Sequence, residues 1–389
     1  MNDEVSARGP VAPLPLTVLT GFLGAGKTTL LNRLLRDPAI ADTAVLINEF
    51  GEIGLDHLLV DEVRDDGLVM LTTGCLCCTM RGDLVTALEK LLRELDNGRA
   101  SFRRVVVETT GLADPAPVIH TTMVHPYLVL RFRLDGVVTV IDAVNGTATL
   151  DAHPEAVKQA AVADRLVLTK TDLIKTEAER AALDRLRARL AAINPAAPLL
   201  DTAAGEATPA RLFDCGLYNP ATKTADVKRW LAEEAYAAAN DDHHHGHHHH
   251  GHHHHGHAHD VNRHDDDIRA FTLATDRALP ASAFDMFLEL LRSVHGPDLL
   301  RLKGIVKIAE EPERPLVVHG VQHLLHPAAR LPRWPDGDQR SRLVFIVRAA
   351  AAPKVRELFQ AFLSATAPDR PDRAAILDNP LVPFGGADR

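Results

Sequence analysis

Residues 21–29 read GFLGAGKTT, directly after the apolar run Leu16-Thr17-Val18-Leu19-Thr20 and directly before the helix-like Leu30-Leu31-Asn32-Arg33-Leu34-Leu35. Strand, glycine-rich loop, Lys-Thr and helix in that order form the phosphate cradle of a P-loop, and a chain that carries it must deliver a strand end and a helix start to one anion. Gly21, Gly24 and Gly26 allow backbone dihedrals and close approaches forbidden to larger residues, so successive N–H groups can converge on the β-phosphate. Lys27 neutralises the β/γ oxygens and Thr28 offers a hydroxyl to Mg2+. The helix that follows turns its positive end to the same anion.

The rest of the first half fits such a frame. Apolar runs at 16–20, 44–47, 105–107, 137–141, 166–168 and 198–200 alternate with helix-length segments, notably 83–95 and 176–193. The alternation predicts an α/β fold, a mainly parallel sheet with helices on both faces and ligands at the carboxyl ends of the strands. At 389 residues two domains are expected. Regularity stops near Cys215, and patterning resumes at 268–274, 281–294 (helix-like), 299–309, 315–325, 343–348 and 355–364 (helix-like). That order predicts a smaller α+β domain with a mostly antiparallel sheet. The expected division is 1–215 for the P-loop domain, 216–262 for a His-rich tether and 263–389 for the second domain, with fraying after Ala365.

Two further strand ends carry nucleotide chemistry. Val105-Val106-Val107 delivers Glu108-Thr109-Thr110-Gly111, an acid for the Mg2+ shell and, three positions on, a glycine whose N–H can meet the γ-phosphate. Glu in place of the commoner Asp has the reach to act on Mg2+ through a water or to polarise the attacking water. Leu166-Val167-Leu168 leads into Thr169-Lys170-Thr171-Asp172, which is similar to the NKxD guanine motif with Thr for Asn. Asp172 can accept both the N1 and N2 protons of guanine, an edge adenine does not offer, while the Lys170 stem covers the base. GTP is the expected nucleotide.

Metal-binding residues cluster twice. Cys75, Cys77 and Cys78 follow the apolar run Leu68-Val69-Met70-Leu71, and three thiolates within four residues suit Zn2+ with a fourth position free for a carboxylate, water or incoming ligand. A buried apolar Cys group or a redox pair are the competing readings. Cys215, beside Phe213 and Leu217, reads as packing. Between the P-loop and this cluster lies Asn48-Glu49-Phe50-Gly51-Glu52-Ile53-Gly54-Leu55-Asp56, a glycine-rich acidic loop where a γ-phosphate-responsive switch is expected. Glu49 and Glu52 can complete the Mg2+ shell or the Zn2+ shell, or belong to a solvated loop. The second cluster has thirteen imidazoles in residues 243–259, which suit Zn2+, Ni2+, Co2+ or Cu2+ and point to metal acquisition or buffering rather than an incidental linker. Its internal position speaks against a purification tag.

A net charge of −9 with scattered basic residues argues against binding nucleic acid or an anionic membrane. No apolar run approaches the roughly 20 residues that span a bilayer, and MNDEVSARGP is not built as a secretion signal, so a cytoplasmic protein is expected. A reducing compartment also fits cysteines used for metal rather than for disulfides.

Together, GFLGAGKTT, NEFGEIGLD, GCLCC, ETTG and TKTD resemble the P-loop metallochaperone GTPases: the CobW group, the nitrile hydratase activators and the zinc-regulated metalloprotein activators. Leu299-Leu300-Arg301-Leu302-Lys303-Gly304 and Leu343-Val344-Phe345-Ile346 are similar to the carboxyl-terminal domain of that family. The resemblance implies a GTP hydrolase with Lys27, Glu108 and Gly111 at the catalytic centre. Gly21, Gly24, Ala25, Gly26, Lys27, Thr28 and Thr29 would take the phosphates and Mg2+, and Lys170 and Asp172 the guanine. Cys75, Cys77 and Cys78 would hold a metal to be delivered, with a C-terminal domain that helps choose the client. Zn2+ is the expected cargo, with Co2+ or Ni2+ as alternatives; GTP, GDP and client metalloproteins are the expected partners, and a homodimer is compatible with the reading. A metal-storage protein with a regulatory nucleotide site, or a cobalt chaperone for cobalamin synthesis or nitrile hydratase, are the alternative functions.

Overall fold

The computed structural model describes residues 12–48, 62–63, 69–73, 81–213, 267–326, 328–335 and 337–365. The expected domain boundaries, Cys215, the His run and the residues after Ala365 lie outside them, as do Cys75, Cys77, Cys78, Glu49 and Glu52.

The first half is an eight-stranded sheet made of β1 (Leu14–Gly21), β2 (Thr43–Asn48), β3 (Glu62–Val63), β4 (Val69–Thr73), β5 (Arg104–Glu108), β6 (Phe132–Asp142), β7 (Arg165–Thr169) and β8 (Leu199–Asp201). Their spatial order is β3-β4-β2-β5-β1-β6-β7-β8, parallel throughout except for β3, which runs antiparallel at one edge. Among the described residues eight helices accompany these strands: α1 (Lys27–Leu34), α2 (Arg81–Asp96), α3 (Ala116–Val124), α4 (Leu128–Arg131), α5 (Gly146–Ala152), α6 (Pro154–Ala161), α7 (Glu177–Ile193) and α8 (Pro209–Leu212).

Strand periodicity sorts the core by face. Val105 and Val107 join Leu16, Val18, Ala44 and Leu46 against Leu84, Leu88, Leu91 and Leu92 of α2, whereas Val106 joins Leu19, Val45 and Val138 under Leu30 and Leu31 of α1. The longer helices are amphipathic as their sequences require. In α7 the buried residues are Leu183, Leu186, Leu190 and Ile193, and a capping box starts the helix, with Thr176 accepting from Glu179 N and Glu179 accepting from Thr176 N. Helix α3 differs. Ala116, Val118, Ile119, Thr121 and Thr122 are all buried, so it lacks the polar stripe by which a helix is read from sequence.

The second half forms an antiparallel sheet from β9 (Ile268–Thr275), β10 (Leu299–Val306), β11 (Leu316–Val321), β12 (Leu324–Leu325), β13 (Ala329–Arg330) and β14 (Ser341–Arg348), with the path β12-β11-β10-β14-β9 and β13 beside β11. Helices α9 (Ala281–His295) and α10 (Ala352–Ala365) cover one face through Phe284, Phe287, Leu291 and Phe359. The run expected as one strand at 315–325 is instead a hairpin, because Gln322 takes a left-handed conformation (φ 53°) between β11 and β12.

The other face of this sheet packs on the first half: Ala270, Leu300, Val317, Val344 and Ile346 share a cluster with Ala156, Ala160, Leu186 and Ile193. At the centre of that interface is Asp164. It accepts from Val137 N (2.9 Å) and Lys303 Nζ (2.5 Å) and pairs with Arg301, which also donates to the Val162 carbonyl. Burial pushes the Asp164 carboxyl up, but Arg301 and Lys303 outweigh it and hold the group well below the usual carboxylate range. Burial pulls Lys303 down to about 8, against the attraction of Asp164. Beside them the rings of His319 and His326 stack at 4.5 Å. Burial and the neighbouring Arg301 depress both, His326 to about 3, so both are neutral near pH 7.

Histidines held neutral in the fold but free to protonate near 6.5 once unfolded make the unfolded chain the stronger proton acceptor as pH falls. Their contribution is present above about pH 6.5 and is lost below it. Between pH 7 and 5 Lys303 is charged in both states and leaves that slope alone. The midpoint of chemical unfolding should therefore fall between pH 7 and 5, and His326→Phe should make the fall shallower. An unchanged slope in that variant would contradict the assignment.

Candidate functional site

Strand β1 ends at Gly21 and the chain turns through Phe22, Leu23, Gly24 and Ala25 to Gly26, the N-cap of α1. Gly26 has φ 93°, a conformation that costs a side-chain-bearing residue about 1 kcal/mol or more. Lys27 is buried and donates Nζ to the carbonyls of Gly21 (2.9 Å) and Phe22 (3.3 Å), which places its ammonium inside the loop. Thr28 and Thr29 are exposed on the first turn of α1.

Glu108 ends β5, which lies between β1 and β2, and it is brought directly to the P-loop. Thr28 Oγ1 donates to Glu108 Oε1 at 2.9 Å. A hydroxyl and a buried carboxylate facing one another at the start of a phosphate-binding helix form a hard oxygen donor pair, the kind that fits Mg2+. The following residues are fastened to β1, with Thr109 N donating to Leu19 O (2.9 Å) and Thr109 Oγ1 to Thr20 Oγ1 (2.8 Å). Gly111 then meets the P-loop itself. A Cβ on Gly111 would lie 2.5 Å from both the N and Cα atoms of Leu23, so two backbone segments touch where only glycine fits.

Thr169 and Lys170, at the end of β7, grip the P-loop from the other side. Thr169 Oγ1 lies 2.6 Å from Ala25 O and 3.2 Å from Ile141 O, and Lys170 Nζ donates to Gly24 O (2.8 Å) and Asp142 Oδ2 (2.7 Å). The hydroxyl of Thr169 thus reaches the P-loop carbonyl with a side chain shorter than Asn. Lys170 has φ 60°, an uncommon conformation outside glycine that these two bonds hold in place. Burial raises the Asp142 carboxyl, but hydrogen bonds from Lys170, Asn145 and Val144 outweigh it and keep the group ionised. Asp172 is exposed in the 3-10 turn Thr171–Leu173, and Thr171 Oγ1 donates to Asp201 Oδ1 (2.6 Å) at the end of β8.

Sequence reasoning missed three residues that complete this arrangement. Asp142 could have been found as an acid ending an apolar strand at the ligand edge. Asp201 accepts from Thr171 and from the N–H groups of Ala203 (2.9 Å) and Ala204 (3.4 Å), so the loop after β8 backs the turn that carries Asp172. Gln159, buried in α6, donates Nε2 to the carbonyls of Gly111 (3.3 Å) and Ala113 (2.9 Å), and nothing in its Ala-rich surroundings signals that role. A cavity of about 230 Å3 lies beside these groups, between Leu23, Gly24, Asp142, Thr149, Gln159 and Lys170.

Among the described residues no group of three or more His, Cys, Asp or Glu could hold a metal ion. The chain segments that lead to the expected metal ligands are nevertheless fixed. β2 pairs in parallel with β4, with Asn48 opposite Thr73, so the chain leaves toward Glu49 and toward Cys75 from adjacent strands at one sheet edge. Ile47 in β2 is opposite Glu108, and that edge is the one bearing the P-loop.

Residues 15–201 match the model of the CobW/HypB/UreG nucleotide-binding domain, and residues 268–363 match that of the cobalamin synthesis protein cobW C-terminal domain. The zinc chaperone YjiA of Escherichia coli (strain K12) is 34% identical over 347 residues, spanning 89% of this chain and 98% of that protein. The zinc-regulated GTPase metalloprotein activator 1 of Schizosaccharomyces pombe is 40% identical over 199 residues, 50% of this chain and 46% of its own length. The crystal structure of Zn(II)-bound YjiA GTPase from E. coli superposes with a TM-score of 0.64 at 29% identity, covering 90% of this chain and 99% of that one. The chain belongs to the CobW/HypB/UreG family of P-loop GTPases and carries the cobW C-terminal domain.

Proposed function

We propose that this protein is a cytoplasmic, GTP-hydrolysing metallochaperone that takes Zn2+, or a similar divalent ion, at Cys75, Cys77 and Cys78 and passes it to client metalloproteins. The observation that carries the reading is the pairing of β2 with β4, which starts the acidic loop and the cysteine loop side by side. At a strand spacing of about 4.8 Å, two spacings (β4 to β2 to β5) separate the cysteine loop's point of departure from Glu108, a distance of about 10 Å. The relatives named as a zinc chaperone and a zinc-regulated GTPase support the same cargo.

In this reading the N–H groups of Gly24 to Thr29 and the positive end of α1 bind the phosphates, with Gly21 letting the chain turn into the loop. Lys27 exchanges its loop carbonyls for β/γ oxygens. Thr28 and Glu108 would hold Mg2+, which would supply charge neutralisation for the phosphates. Gly111 offers its N–H to the γ-phosphate, Lys170 covers the guanine and Asp172 accepts its N1 and N2 protons. Glu49 and Glu52 couple the nucleotide to the thiolates. The His run, residues 243–259, gathers metal loosely, because each ion must order chain before its ligands converge.

Two outcomes test this. GTP should be hydrolysed in preference to ATP by roughly tenfold or more, since a site that pairs with one base edge rejects the other. Asp172→Ala should erase that preference, and Lys27→Ala should cut turnover on the order of a hundredfold. Equal kcat/KM for both nucleotides in the unmodified protein would refute the guanine assignment.

The second outcome concerns cargo. The full chain should bind several Zn2+ ions, and deletion of 243–259 should leave about one tightly held ion, which Cys77→Ser removes while GTP turnover without metal persists. Retention of that ion by the Cys77→Ser variant would place the cargo elsewhere.

A further inference from the structure

The loop after Glu108 is held by both halves of the protein. From within the first half, Gln159 donates to the carbonyls of Gly111 and Ala113, and its own carbonyl accepts from Thr139 Oγ1 (2.7 Å), which ties α6 to β6. From the second half, Gln322 Nε2 donates to Asp114 Oδ2 at 2.8 Å. The other carboxylate oxygen of Asp114 accepts from Ala116 N (2.9 Å) and starts α3. The next hairpin residue, His323, lies against His120 of α3 with ring centroids 5.6 Å apart.

Gln322 holds an unusual backbone to do this. It is one of two described non-glycine residues with positive φ, the other being Lys170 at the nucleotide site, and its N–H is fixed to Leu300 O at 3.1 Å. A glutamine is a poor choice for a left-handed turn position, where glycine would relieve the strain. Strain of this kind points to a role for the side chain that holds it.

We propose that Gln322 is a positioning residue for GTP hydrolysis, through which the C-terminal domain holds Asp114 and keeps Gly111 pressed on the P-loop where its N–H meets the γ-phosphate. The inference rests on the reading of Gly111 as the γ-phosphate contact. Gly111 and Asp114 are three residues apart and Gln159 clamps the segment between them, so the hairpin and the γ-phosphate act on one short rigid link. GDP lacks the group that Gly111 meets, so its binding is indifferent to the hairpin. Anything that lifts the C-terminal domain slows hydrolysis without loosening GDP.

The test is steady-state hydrolysis by the full chain, with GDP affinity and thermal unfolding measured alongside. Gln322→Gly removes the side chain and relieves the backbone, so it should stay folded at the assay temperature, the relieved strain offsetting part of the lost hydrogen bond. Its kcat should fall by about tenfold, the size expected for losing one hydrogen bond to a charged acceptor, with GDP affinity unchanged. Asp114→Ala should lower kcat at least as far, and adding Gln322→Gly to it should have no further effect. Unchanged kcat in Gln322→Gly, an equal loss of GDP affinity, or additive effects in the double variant would each overturn the proposal. Gly111→Ala separates the two claims: if it folds and hydrolyses GTP normally, the reading of Gly111 fails whatever Gln322 does.

Discussion

The approach of Gly111 to Leu23 is the constraint on which the site depends. Two loops from neighbouring strands, β1 and β5, meet so closely that no side chain fits between them at Gly111. One carries the phosphate-binding amides and Lys27, the other Glu108 and the link to Asp114. The parallel sheet makes this contact available by ending both strands at the same edge, and Thr109 fastens them with its N–H and hydroxyl. Thr169 and Lys170 then hold the far side of the P-loop through the carbonyls of Ala25 and Gly24. The phosphate cradle is therefore clamped between two strand ends, as preorganised binding of a transition-state charge requires.

A metal carrier has to let go of its metal. A structural four-ligand Zn2+ site is worth about 10 to 16 kcal/mol near neutral pH, too much for quick spontaneous transfer. Weakening such a site by about four decades takes roughly 5.5 kcal/mol of differential stabilisation between two states. A nucleotide site at the sheet edge where β2 and β4 also end offers the shortest mechanical path for coupling to the loops proposed to hold the metal. The second half of the molecule is joined to the first by polar groups rather than by apolar contact alone: Gln322 on Asp114 near this edge, and Arg301 and Lys303 on Asp164, where β7 begins at the opposite end of the sheet. Buried ion pairs are weak sources of net stability but strongly penalise misalignment, since removing one partner strands the other in a low-dielectric interior.

Local patterns made the placement of the candidate nucleotide-site residues legible. Glycines and Lys-Thr after an apolar strand, an acid and a glycine after a second, and TKTD after a third all occupy the strand ends where they were expected, and Thr169 shows why a hydroxyl serves in place of an amide. The strand order, with β5 between β1 and β2, has no local signature. The interface was hidden for the same reason: LLRLKGIV alternates like a strand with a wet face, yet Arg301 and Lys303 are buried against Asp164, more than a hundred residues earlier in the chain. The hairpin at Gln322 was missed because its turn carries none of the residues that left-handed backbone favours. Helix α3 escaped because its buried residues include Thr121 and Thr122 and its exposed end is Val124, so no clean apolar–polar division marks it. Cys75, Cys77, Cys78, Glu49 and Glu52 lie outside the described residues, and their roles rest on sequence and on where β2 and β4 end.

The central claim is that nucleotide state and metal affinity are linked through this edge. Linkage is reciprocal, so a γ-phosphate that alters Zn2+ affinity must have its own affinity altered by Zn2+ by the same factor. The direct measurement is Zn2+ affinity, by competition with a chelator, for protein lacking residues 243–259 in its GDP form and in complex with a non-hydrolysable GTP analogue. The account predicts affinities that differ by at least about tenfold, with the same factor recovered when analogue affinity is measured with and without Zn2+. Identical Zn2+ affinities in the two nucleotide states would contradict it.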